Sequence, residues 1–300
     1  MTIIVTGATG FIGTALCRAL HEAGHRVIAL SRSGAAARRQ LGERVEVIEW
    51  SSPQWQSEVA AADAVINLAG ESIASGRWTA ARKQAIVRSR LDTTEQVVKA
   101  MRAGGKPRRV FISASAVGYY GPHADETLDE TAAAGSGFLA DVCRAWEHEA
   151  QAAEALGVRV VRLRLGVVLG DGGGALARMV LPFKLYAGGP LGSGQQWLSW
   201  IHRDDVVGLI RFALEHDTIA GALNATAPDP QRMRDFCQTL GKVMGRPSWA
   251  PVPAVVLRLA LGEMADMLLS GQRVLPAAAQ RAGYIFQFPR LEPALREVLG

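Results

Sequence analysis

The chain has 300 residues, of which 49% are hydrophobic and 20% are charged. This composition excludes a disordered or fibrous chain, and the length suffices for one large core with a smaller appendage. Lys and Arg number 33 against 28 Asp and Glu, an excess spread along the chain. That distribution favours an anionic small ligand over nucleic acid, which calls for a basic stripe with interleaved aromatic residues.

The three cysteines lie far apart and the six histidines are scattered, so neither a disulfide framework nor a metal site is predicted. The first strand begins at residue 2 with no signal peptide before it, and no apolar run reaches membrane-spanning length. We therefore expect a cytoplasmic protein without membrane contact.

The first thirty-two residues predict a βαβ unit. An apolar run at 3–5 leads into the glycine-rich stretch 6–13, a helical pattern extends to residue 23, and a second apolar run follows at 26–30. Gly7 allows a tight turn, Gly10 lets backbone N–H groups approach phosphate oxygens, and Gly13 lets the helix lie close to the sheet. Because a helix N-terminus binds anions, this turn predicts a site for the pyrophosphate of a dinucleotide.

The end of the second strand predicts which dinucleotide binds. An acidic residue there contacts the ribose hydroxyls of NAD, whereas an arginine accommodates the extra phosphate of NADP. The sequence has Ser31, Arg32 and Ser33 and no acid. A guanidinium binds phosphate bidentately and the hydroxyls add donors, so we predict NADP(H) in preference to NAD. The alternative is that Arg32 is only a solvated residue.

Helices and strands alternate through the next hundred residues. The pattern predicts a helix at 35–41, strands at 45–48 and 62–70, a long helix at 79–101 and a strand at 109–113. This alternation indicates an α/β fold, a doubly wound parallel sheet of the Rossmann type, with ligands at the carboxyl ends of the strands. Asn67, Leu68, Ala69 and Gly70 are then expected at the same edge as the glycine turn.

Arginines accompany the long helix 79–101 and allow two interpretations. They form a solvated face, or Arg77, Arg88 or Arg90 points into the ligand cleft and binds an acidic group of the substrate. The sequence leaves both open.

Four motifs resemble those of the extended short-chain dehydrogenase/reductase family, which includes NAD(P)-dependent sugar-nucleotide epimerases and dehydratases. They are TGATGFIG at 6–13, NLAG at 67–70, SASAVGYYG at 113–121 and WIHRDD at 200–205. FLADVCRAWE at 138–147, RLGVVLG at 164–170 and the final seventy residues are similar to an uncharacterised epimerase-family branch, some of whose members are described as cell-division inhibitors. The resemblance implies the fold and a pyridine nucleotide, and leaves the reaction open.

The family's chemistry implies a serine after the fifth strand and a Tyr-x-x-x-Lys pair on the next helix. The lysine holds the nicotinamide ribose and lowers the pKa of the tyrosine, which exchanges a proton as hydride moves. This sequence departs from that pattern in every register. The positions hold Leu139 and Cys143, Phe138 and Val142, or Ala140 and Arg144.

Another group therefore supplies the proton, or the hydride chemistry has been lost. Ser113 and Ser115 are candidates to orient a carbonyl or hydroxyl, and Tyr119 or Tyr120 to donate a proton from the loop. Cys143 or Asp141 could face the cofactor from the helix. For the two tyrosines the alternative is packing and hydrogen bonding at the rim of the cleft.

The next strand is predicted at 159–164, and the resemblance gives Arg164 and the residues after it a place at the nicotinamide end. We interpret the glycines at 172–174 as a loop over the cleft, and the segment 202–205 as a helix start that supports it, with His202 structural. Beyond residue 231 the chain is mostly helical, at 231–244, 254–261, 263–269 and 291–299. Met264, Met267, Leu268 and Leu269 form either a partner-binding face or part of the core.

We divide the chain into an NADP-binding Rossmann domain at 1–165, a mixed cofactor and substrate region completing the sheet at 166–230, and a helical domain at 231–300. One hypothesis is an NADP(H)-dependent oxidoreductase or epimerase acting on a small, anionic, hydroxyl- or carbonyl-bearing substrate. The other is an NADP-sensing protein with little or no turnover, whose C-terminal region meets a protein partner. The predicted cofactor-binding residues are Thr6, Gly7, Thr9, Gly10, Phe11, Ile12, Gly13, Ser31, Arg32, Ser33, Asn67, Leu68, Ala69, Gly70 and Arg164.

Overall fold

The computed structural model describes residues 1–104 and 109–300. The first half alternates strands and helices as predicted. Its elements are β1 (Thr2–Thr6), α1 (Phe11–Glu22), β2 (Arg26–Ser31), α2 (Gly34–Leu41), β3 (Glu46–Glu49), α3 (Gln54–Ala61), β4 (Ala64–Asn67), α4 (Ala80–Arg102), β5 (Val110–Ala116), β6 (Thr127–Leu128) and α5 (Phe138–Gln151).

The second half has shorter elements. They are β7 (Arg159–Leu165), β8 (Val167–Leu169), α6 (Leu176–Lys184), β9 (Trp197–Leu198), β10 (Trp200–His202), α7 (Arg203–Glu215), β11 (Gly221–Ala225), β12 (Gln231–Arg232), α8 (Met233–Met244), α9 (Ala254–Leu261), α10 (Met264–Leu269), β13 (Arg273–Val274), α11 (Ala277–Arg281) and α12 (Leu291–Leu299).

Seven parallel strands form the main sheet in the order β11-β7-β5-β4-β1-β2-β3. The order reverses between β1 and β4, which is where a doubly wound sheet opens a crevice at the carboxyl ends of its strands. The predicted Rossmann-type α/β fold is confirmed. The last strand of the sheet, β11, lies within the segment 166–230.

Helices cover both faces of this sheet because alternate strand residues point to opposite sides. Ile3 and Val5 pack in a core with Leu16 of α1 and Ile210 of α7. Ile4, between them, belongs to a second core formed with α3, α4 and α5. The carboxyl edge of the sheet, where the crevice opens, therefore lies between two layers of helices.

A third core lies in the C-terminal region, where α6, α8 and α12 surround the fully buried Trp200. Small two-stranded sheets connect this region to the main sheet, with β10 beside β8, β12 beside β9, and β13 beside β6. In α10 Met264 is buried, and Met267, Leu268 and Leu269 are partly buried. Three exposed apolar side chains lie on the preceding helix α9, at Val255, Val256 and Leu259.

Some predicted boundaries change. The sequence at 195–201 predicts a single strand, but the segment forms two short strands, because β9 pairs with β12 whereas β10 pairs with β8. Helix α3 has no counterpart in the prediction. Throughout residues 1–104 and 109–300, every helix is too short or too polar to cross a bilayer.

Candidate functional site

The glycine turn between β1 and α1 is closely packed. Gly7 has φ +67°, and a Cβ there would lie 2.7 Å from the backbone of Leu68. A Cβ at Gly13 would lie 2.2 Å from the carbonyl oxygen of Gly7. Gly10 is exposed and its N–H donates to the Gly7 carbonyl at 2.9 Å. The first and third glycines therefore allow the backbone packing, and the second keeps the mouth of the turn open.

The mouth of this turn is suited to an anion. Helix α1 has glycine at its N-cap, no capping side chain and no acidic residue in its first turn. The amides of Phe11, Ile12 and Gly13 thus have no acceptor within the helix and point out of its N-terminus. Gln40 of α2 donates to the carbonyl of Thr9 at 2.8 Å, which fixes the turn from the side. These residues fit a pyrophosphate cradle.

Thr6 and Asn67 lie beneath the cleft and are fully buried. The Thr6 hydroxyl donates to Asn67 Oδ1 at 2.6 Å, and Asn67 Nδ2 donates to Thr94 Oγ1 at 2.8 Å. The N–H of Ala69 donates back to the Thr6 hydroxyl at 3.3 Å. These bonds tie the ends of β1 and β4 together, so Thr6 and Asn67 shape the floor while the backbone of 68–70 lines the edge.

Arg32 lies at the opposite end of the cleft, after β2. Its side chain is 88% exposed, and Nη1 is 3.5 Å from Glu71 Oε1. The Ser31 hydroxyl accepts from the N–H of Ser33 at 3.2 Å. Glu49, at the end of β3, accepts from the N–H of Gly34 at 2.8 Å. The carboxylate of Glu49 thus lies beside the end of β2, although no acidic residue belongs to the β2 end itself.

Three of the predicted site residues, Ser115, Tyr120 and Arg164, meet around the buried carboxylate of Glu147. Ser115 Oγ donates to Glu147 Oε1 at 2.7 Å. Arg164 donates to both carboxylate oxygens, from Nε at 2.8 Å and from Nη2 at 2.9 Å. Its Nη1 donates to the Tyr120 hydroxyl at 2.9 Å, and that hydroxyl donates to Asn224 Oδ1 at 2.7 Å.

Electrostatics fix the protonation of this cluster. Burial lowers the pKa of Arg164, but its hydrogen bonds to Glu147 and the charge of that carboxylate outweigh burial and raise the pKa overall. Burial raises the pKa of Tyr120 to about 12, although Arg164 opposes that shift. Arg164 is therefore charged and Tyr120 is neutral in ordinary buffers, and both are occupied by protein partners.

The remaining candidates have separate surroundings. Ser113 is buried and its hydroxyl donates to the Ala114 carbonyl at 3.4 Å. Tyr119 is half-buried, with its ring centroid 3.5 Å from Cζ of Arg164. Burial raises the pKa of the Cys143 thiol to about 11, and nearby Glu147 adds to that shift. Asp141 is exposed and pairs with Arg144.

Glu147 is the main residue that the sequence interpretation missed as a functional group. It lies on the buried face of α5 with Ala140, Cys143, Trp146 and Ala150. A carboxylate on an apolar helix face requires a buried cation, so the helical spacing itself contained the signal.

The arginines of the α4 region have different environments. Arg77 donates to the carbonyls of Leu259 and Ala260 at the end of α9, and Arg88 is exposed. Arg90 is half-buried against Gly70 and Trp146. Burial lowers the pKa of Arg90, with Cys143 and Glu71 opposing the shift. Of the two interpretations, the cleft position fits Arg90 and the solvated face fits Arg88.

The glycine run after β8 packs on the dinucleotide turn. A Cβ at Gly170, Gly173 or Gly174 would lie 2.9 Å from the ring of Phe11. Arg203 packs beside this contact, with Cζ 5.3 Å from the Phe11 ring centroid, and donates to the Asp171 carbonyl at 2.7 Å. The loop thus covers the turn by direct contact with Phe11.

His202 and Asp205 fasten the C-terminal region to this side of the cleft. His202 Nδ1 accepts from the N–H of Asp204 at 3.2 Å, so the neutral ring has its proton on Nε2, which bonds to Glu297 at 2.8 Å. The buried carboxylate of Asp205 accepts from the N–H groups of Gln287 at 2.8 Å and Phe288 at 2.9 Å. Within the described ranges, the ligand atoms of His202, Asp204 and Glu297 also lie close enough for a metal ion, but their mutual bonds account for the arrangement.

Two family models match the chain. Residues 3–225 match the NAD dependent epimerase/dehydratase family, and residues 252–298 match a domain of unknown function, DUF1731. The first match covers the main sheet, and the second covers α9 to α12.

Relatives with similar sequences cover the whole chain. An epimerase family protein SDR39U1 homolog, chloroplastic, from Arabidopsis thaliana is 44% identical, with 100% of this chain and 87% of that protein aligned. The epimerase family protein YfhF of Bacillus subtilis is 42% identical, with 100% and 98% aligned.

Solved structures agree with these sequences. The crystal structure of human epimerase family protein SDR39U1 with NADPH has a TM-score of 0.87 at 37% identity and covers 99% of both chains. The UDP-glucuronic acid 4-epimerase of Bacillus cereus, in complex with UDP-glucuronic acid and NAD, has a TM-score of 0.80 at 19% identity, which shows the shared fold, with 99% of this chain and 97% of that chain covered. With its glycine turn, its sheet order and these similarities, the chain belongs to the NAD-dependent epimerase/dehydratase family, in the epimerase branch that contains the SDR39U1-type proteins.

Proposed function

We propose that the protein binds NADPH across the carboxyl edge of the sheet and is an epimerase- or reductase-like protein of the extended short-chain dehydrogenase type. The observation that supports this most is the turn at Gly7, Gly10 and Gly13, whose backbone leaves open amides at the start of α1. A pyrophosphate there compensates the orphan donors. A cytoplasmic location belongs to the same proposal, although the Arabidopsis relative is named as chloroplastic.

The preference for NADPH over NADH is part of the proposal and depends on Arg32. Its guanidinium is solvated and 3.5 Å from the half-exposed Glu71, so a phosphate can replace that weak pair. Ser31 and Ser33 are adjacent donors. The human relative described with NADPH supports this assignment.

Replacing Arg32 tests the preference. We expect Arg32→Ala to weaken NADPH binding by about tenfold or more, because a charge-assisted bidentate contact to phosphate is lost. NADH binding should stay the same, since NADH has no 2′-phosphate. Isothermal titration calorimetry with both nucleotides measures the two dissociation constants.

The matched control is Arg44→Ala, which removes an exposed arginine before β3, at the amino ends of the strands rather than at their carboxyl ends. It should bind both nucleotides like the wild type. Equal losses of NADPH and NADH in Arg32→Ala would contradict the assignment of Arg32 to the 2′-phosphate.

An anionic substrate is supported by two guanidinium groups on the C-terminal side of the cleft. Arg232 and Arg273 lie against the ring of Trp197, with Cζ at 4.1 Å and 4.9 Å from its centroid. Arg232 pairs with Asp125, whereas Arg273 forms no ion pair in the parts of the chain described. Gln272, the neighbour of Arg273, donates to the Val117 carbonyl at 2.6 Å. The unpaired charge of Arg273 is thus next to a residue that is bonded to the loop after β5, and it is the charge that supports an anionic substrate.

Tyr119 is our preferred proton donor among the candidates. Ser115 and Tyr120 are buried and bonded to Glu147, Arg164 and Asn224, whereas the Tyr119 hydroxyl has no hydrogen bond within residues 1–104 and 109–300. The guanidinium of Arg164 lies against its ring, with Cζ 3.5 Å from the ring centroid. Bound NADPH would supply hydride, and Ser113 and Ser115 keep a supporting role in this proposal.

The burial of Ser115 and Tyr120 also supports a second function. The hydroxyls of Ser115 and Tyr120 are already bonded to protein groups, and α5 has no Tyr-Lys pair. A protein that binds NADPH without turnover accounts for both observations as well as an enzyme does. Val255, Val256 and Leu259 on α9 are the exposed apolar residues through which such a sensor would meet a partner.

Turnover separates the two functions. NADPH absorbance at saturating protein is followed with a panel of sugar nucleotides and small carbonyl compounds, for the wild type and Tyr119→Phe. The enzyme hypothesis expects oxidation that falls by about a hundredfold in Tyr119→Phe, the usual size of a general-acid contribution. Tyr186→Phe, an exposed tyrosine on the surface after α6, is the control and should retain activity. A flat trace for the wild type across the panel supports the sensor.

A further inference from the structure

The cleft has a defined nicotinamide end if NADPH binds as proposed above, and this inference rests on that proposed function. In a doubly wound sheet each half of a dinucleotide lies over one half of the strands. Arg32 after β2 and the glycine turn after β1 take the adenosine phosphate and the pyrophosphate. The nicotinamide riboside would then lie over the ends of β4, β5 and β7, on the side of Gly70 and Ser115.

Arg90 reaches this end of the cleft from α4. A Cβ placed on Gly70 would be only 3.1 Å from the guanidinium carbon of Arg90, so the group lies directly against the backbone at the end of the β4 loop. Its Nη1 donates to the carbonyls of Glu71 at 3.1 Å and Ile86 at 3.0 Å. The Trp146 ring lies under it, with the centroid 5.1 Å from Cζ. The side chain is thus fixed by both neighbouring elements.

The charge of Arg90 lacks a close carboxylate. In the described part of the chain, no Asp or Glu oxygen lies within 4.0 Å of its nitrogens, whereas Arg82 and Lys83 of the same helix pair with Glu71 and Glu263. Its Nε and Nη2 form no hydrogen bond to the described residues. A half-buried guanidinium with two free parallel donors is the geometry that binds paired oxygen acceptors.

No other cation of the neighbouring helix enters this space. Cys143 faces Arg90 from α5 as a neutral thiol, and Arg144 is exposed and pairs with Asp141. We propose that Arg90 binds the hydroxyl oxygens of the nicotinamide ribose through Nε and Nη2, and so supplies from α4 the cation that α5 lacks.

The position of this charge also predicts a preference between redox states. The nicotinamide ring is positive in NADP⁺ and neutral in NADPH, so a nearby guanidinium without an ion pair repels the oxidised form. Arg90 therefore favours NADPH over NADP⁺, and this discrimination is a property that a merely structural arginine would not have.

The test compares ligands that contain or lack the nicotinamide half. Dissociation constants for NADPH, NADP⁺ and adenosine 2′,5′-bisphosphate are measured by titration on the wild type, Arg90→Gln, Arg90→Lys and Arg88→Gln. We expect Arg90→Gln to weaken NADPH about tenfold, the effect of losing charge-assisted hydrogen bonds. The bisphosphate should bind unchanged, and the preference for NADPH over NADP⁺ should shrink.

Arg90→Lys, which keeps the charge, should retain most of that preference, and Arg88→Gln, on the exposed face of the same helix, should match the wild type. Unchanged NADPH binding in Arg90→Gln would overturn the inference. Equal weakening of NADPH and the bisphosphate would also overturn it, since it indicates a structural role. Failure of the wild type to bind either ligand would instead overturn the cofactor proposal, and this inference with it.

Discussion

At the scale of single residues, Glu147 determines the chemistry of the cluster below the cleft. Its side chain is 4% exposed and that of Arg164 is 3% exposed, so the pair is almost fully desolvated. Two parallel hydrogen bonds from Arg164 and a further one from Ser115 stabilise the Glu147 carboxylate in this buried position. Arg162 adds a second positive charge, with Nη1 3.7 Å from the same carboxylate. Losing Glu147 would therefore leave the buried charge of Arg164 without a carboxylate partner.

A double-mutant cycle measures this dependence. Glu147→Leu should lower the free energy of unfolding by about 3–5 kcal/mol, because it leaves Arg164 buried and unpaired. Arg164→Met should lower it by less, because Arg162 stays 3.7 Å from the Glu147 carboxylate. The double variant should cost much less than the sum, since both charges are then gone. Urea unfolding followed by circular dichroism gives the four values.

The surface pair of Arg159 and Asp217 is the control. Asp217 is 82% exposed, so Asp217→Ala should change stability by no more than about 1 kcal/mol. If the losses at Glu147 and Arg164 were simply additive, the two side chains would act independently and the buried pair would not be the stabilising unit.

At the scale of elements, the features that depend on adjacent residues were predicted from the sequence, whereas the contacts between distant elements were not. The strands β1, β2 and β4 and the glycine turn follow from short apolar runs and a glycine spacing, both of which are properties of adjacent residues. The seven-stranded order follows from the alternation of strands and helices. Helix α5 was also predicted, together with its lack of a Tyr-Lys pair.

Those local patterns do not predict which groups pair with the buried charges. Glu147 on α5 and Arg164 on β7 meet only because the helix packs over the sheet. Asp205 binds the backbone of Gln287 and Phe288, more than eighty positions along the chain. Sequence reasoning identified Arg90 as one of several possibilities, and only the packing of α4 against Gly70 and Trp146 separates it from Arg77 and Arg88.

At the scale of the whole molecule, buried groups that must stay neutral lie in the first and third cores and under the cleft. Cys17 lies on the α1 side of the sheet, Cys143 lies under the cleft, and Cys237 lies in the C-terminal core. Burial raises the pKa of the thiols from 9.0 to about 12 at Cys17, about 11 at Cys143 and about 12 at Cys237. Burial raises the pKa of Tyr120 from 10.0 to about 12 as well.

These shifts predict that the protein loses stability in alkaline solution. Between pH 9 and 12 the unfolded chain releases thiol protons that the folded chain retains, so the folded state binds more protons and stability falls as the pH rises. Each such group contributes a slope of up to about 1.4 kcal/mol per pH unit in this window. Urea unfolding at pH 8, 9 and 10 should therefore give steadily lower free energies.

Cys237→Ala isolates one of these groups. The variant removes a thiol from the C-terminal core, so its free energy of unfolding should be lower than that of the wild type at pH 8 by a small cavity cost. Above pH 9 it should fall less steeply than the wild type, because one proton fewer is released on unfolding. Arg44→Ala, which changes no buried group, should keep the wild-type slope. Parallel curves for Cys237→Ala and the wild type would show that this thiol does not stay protonated in the folded chain, and the account of the alkaline transition in terms of buried neutral groups would then be wrong.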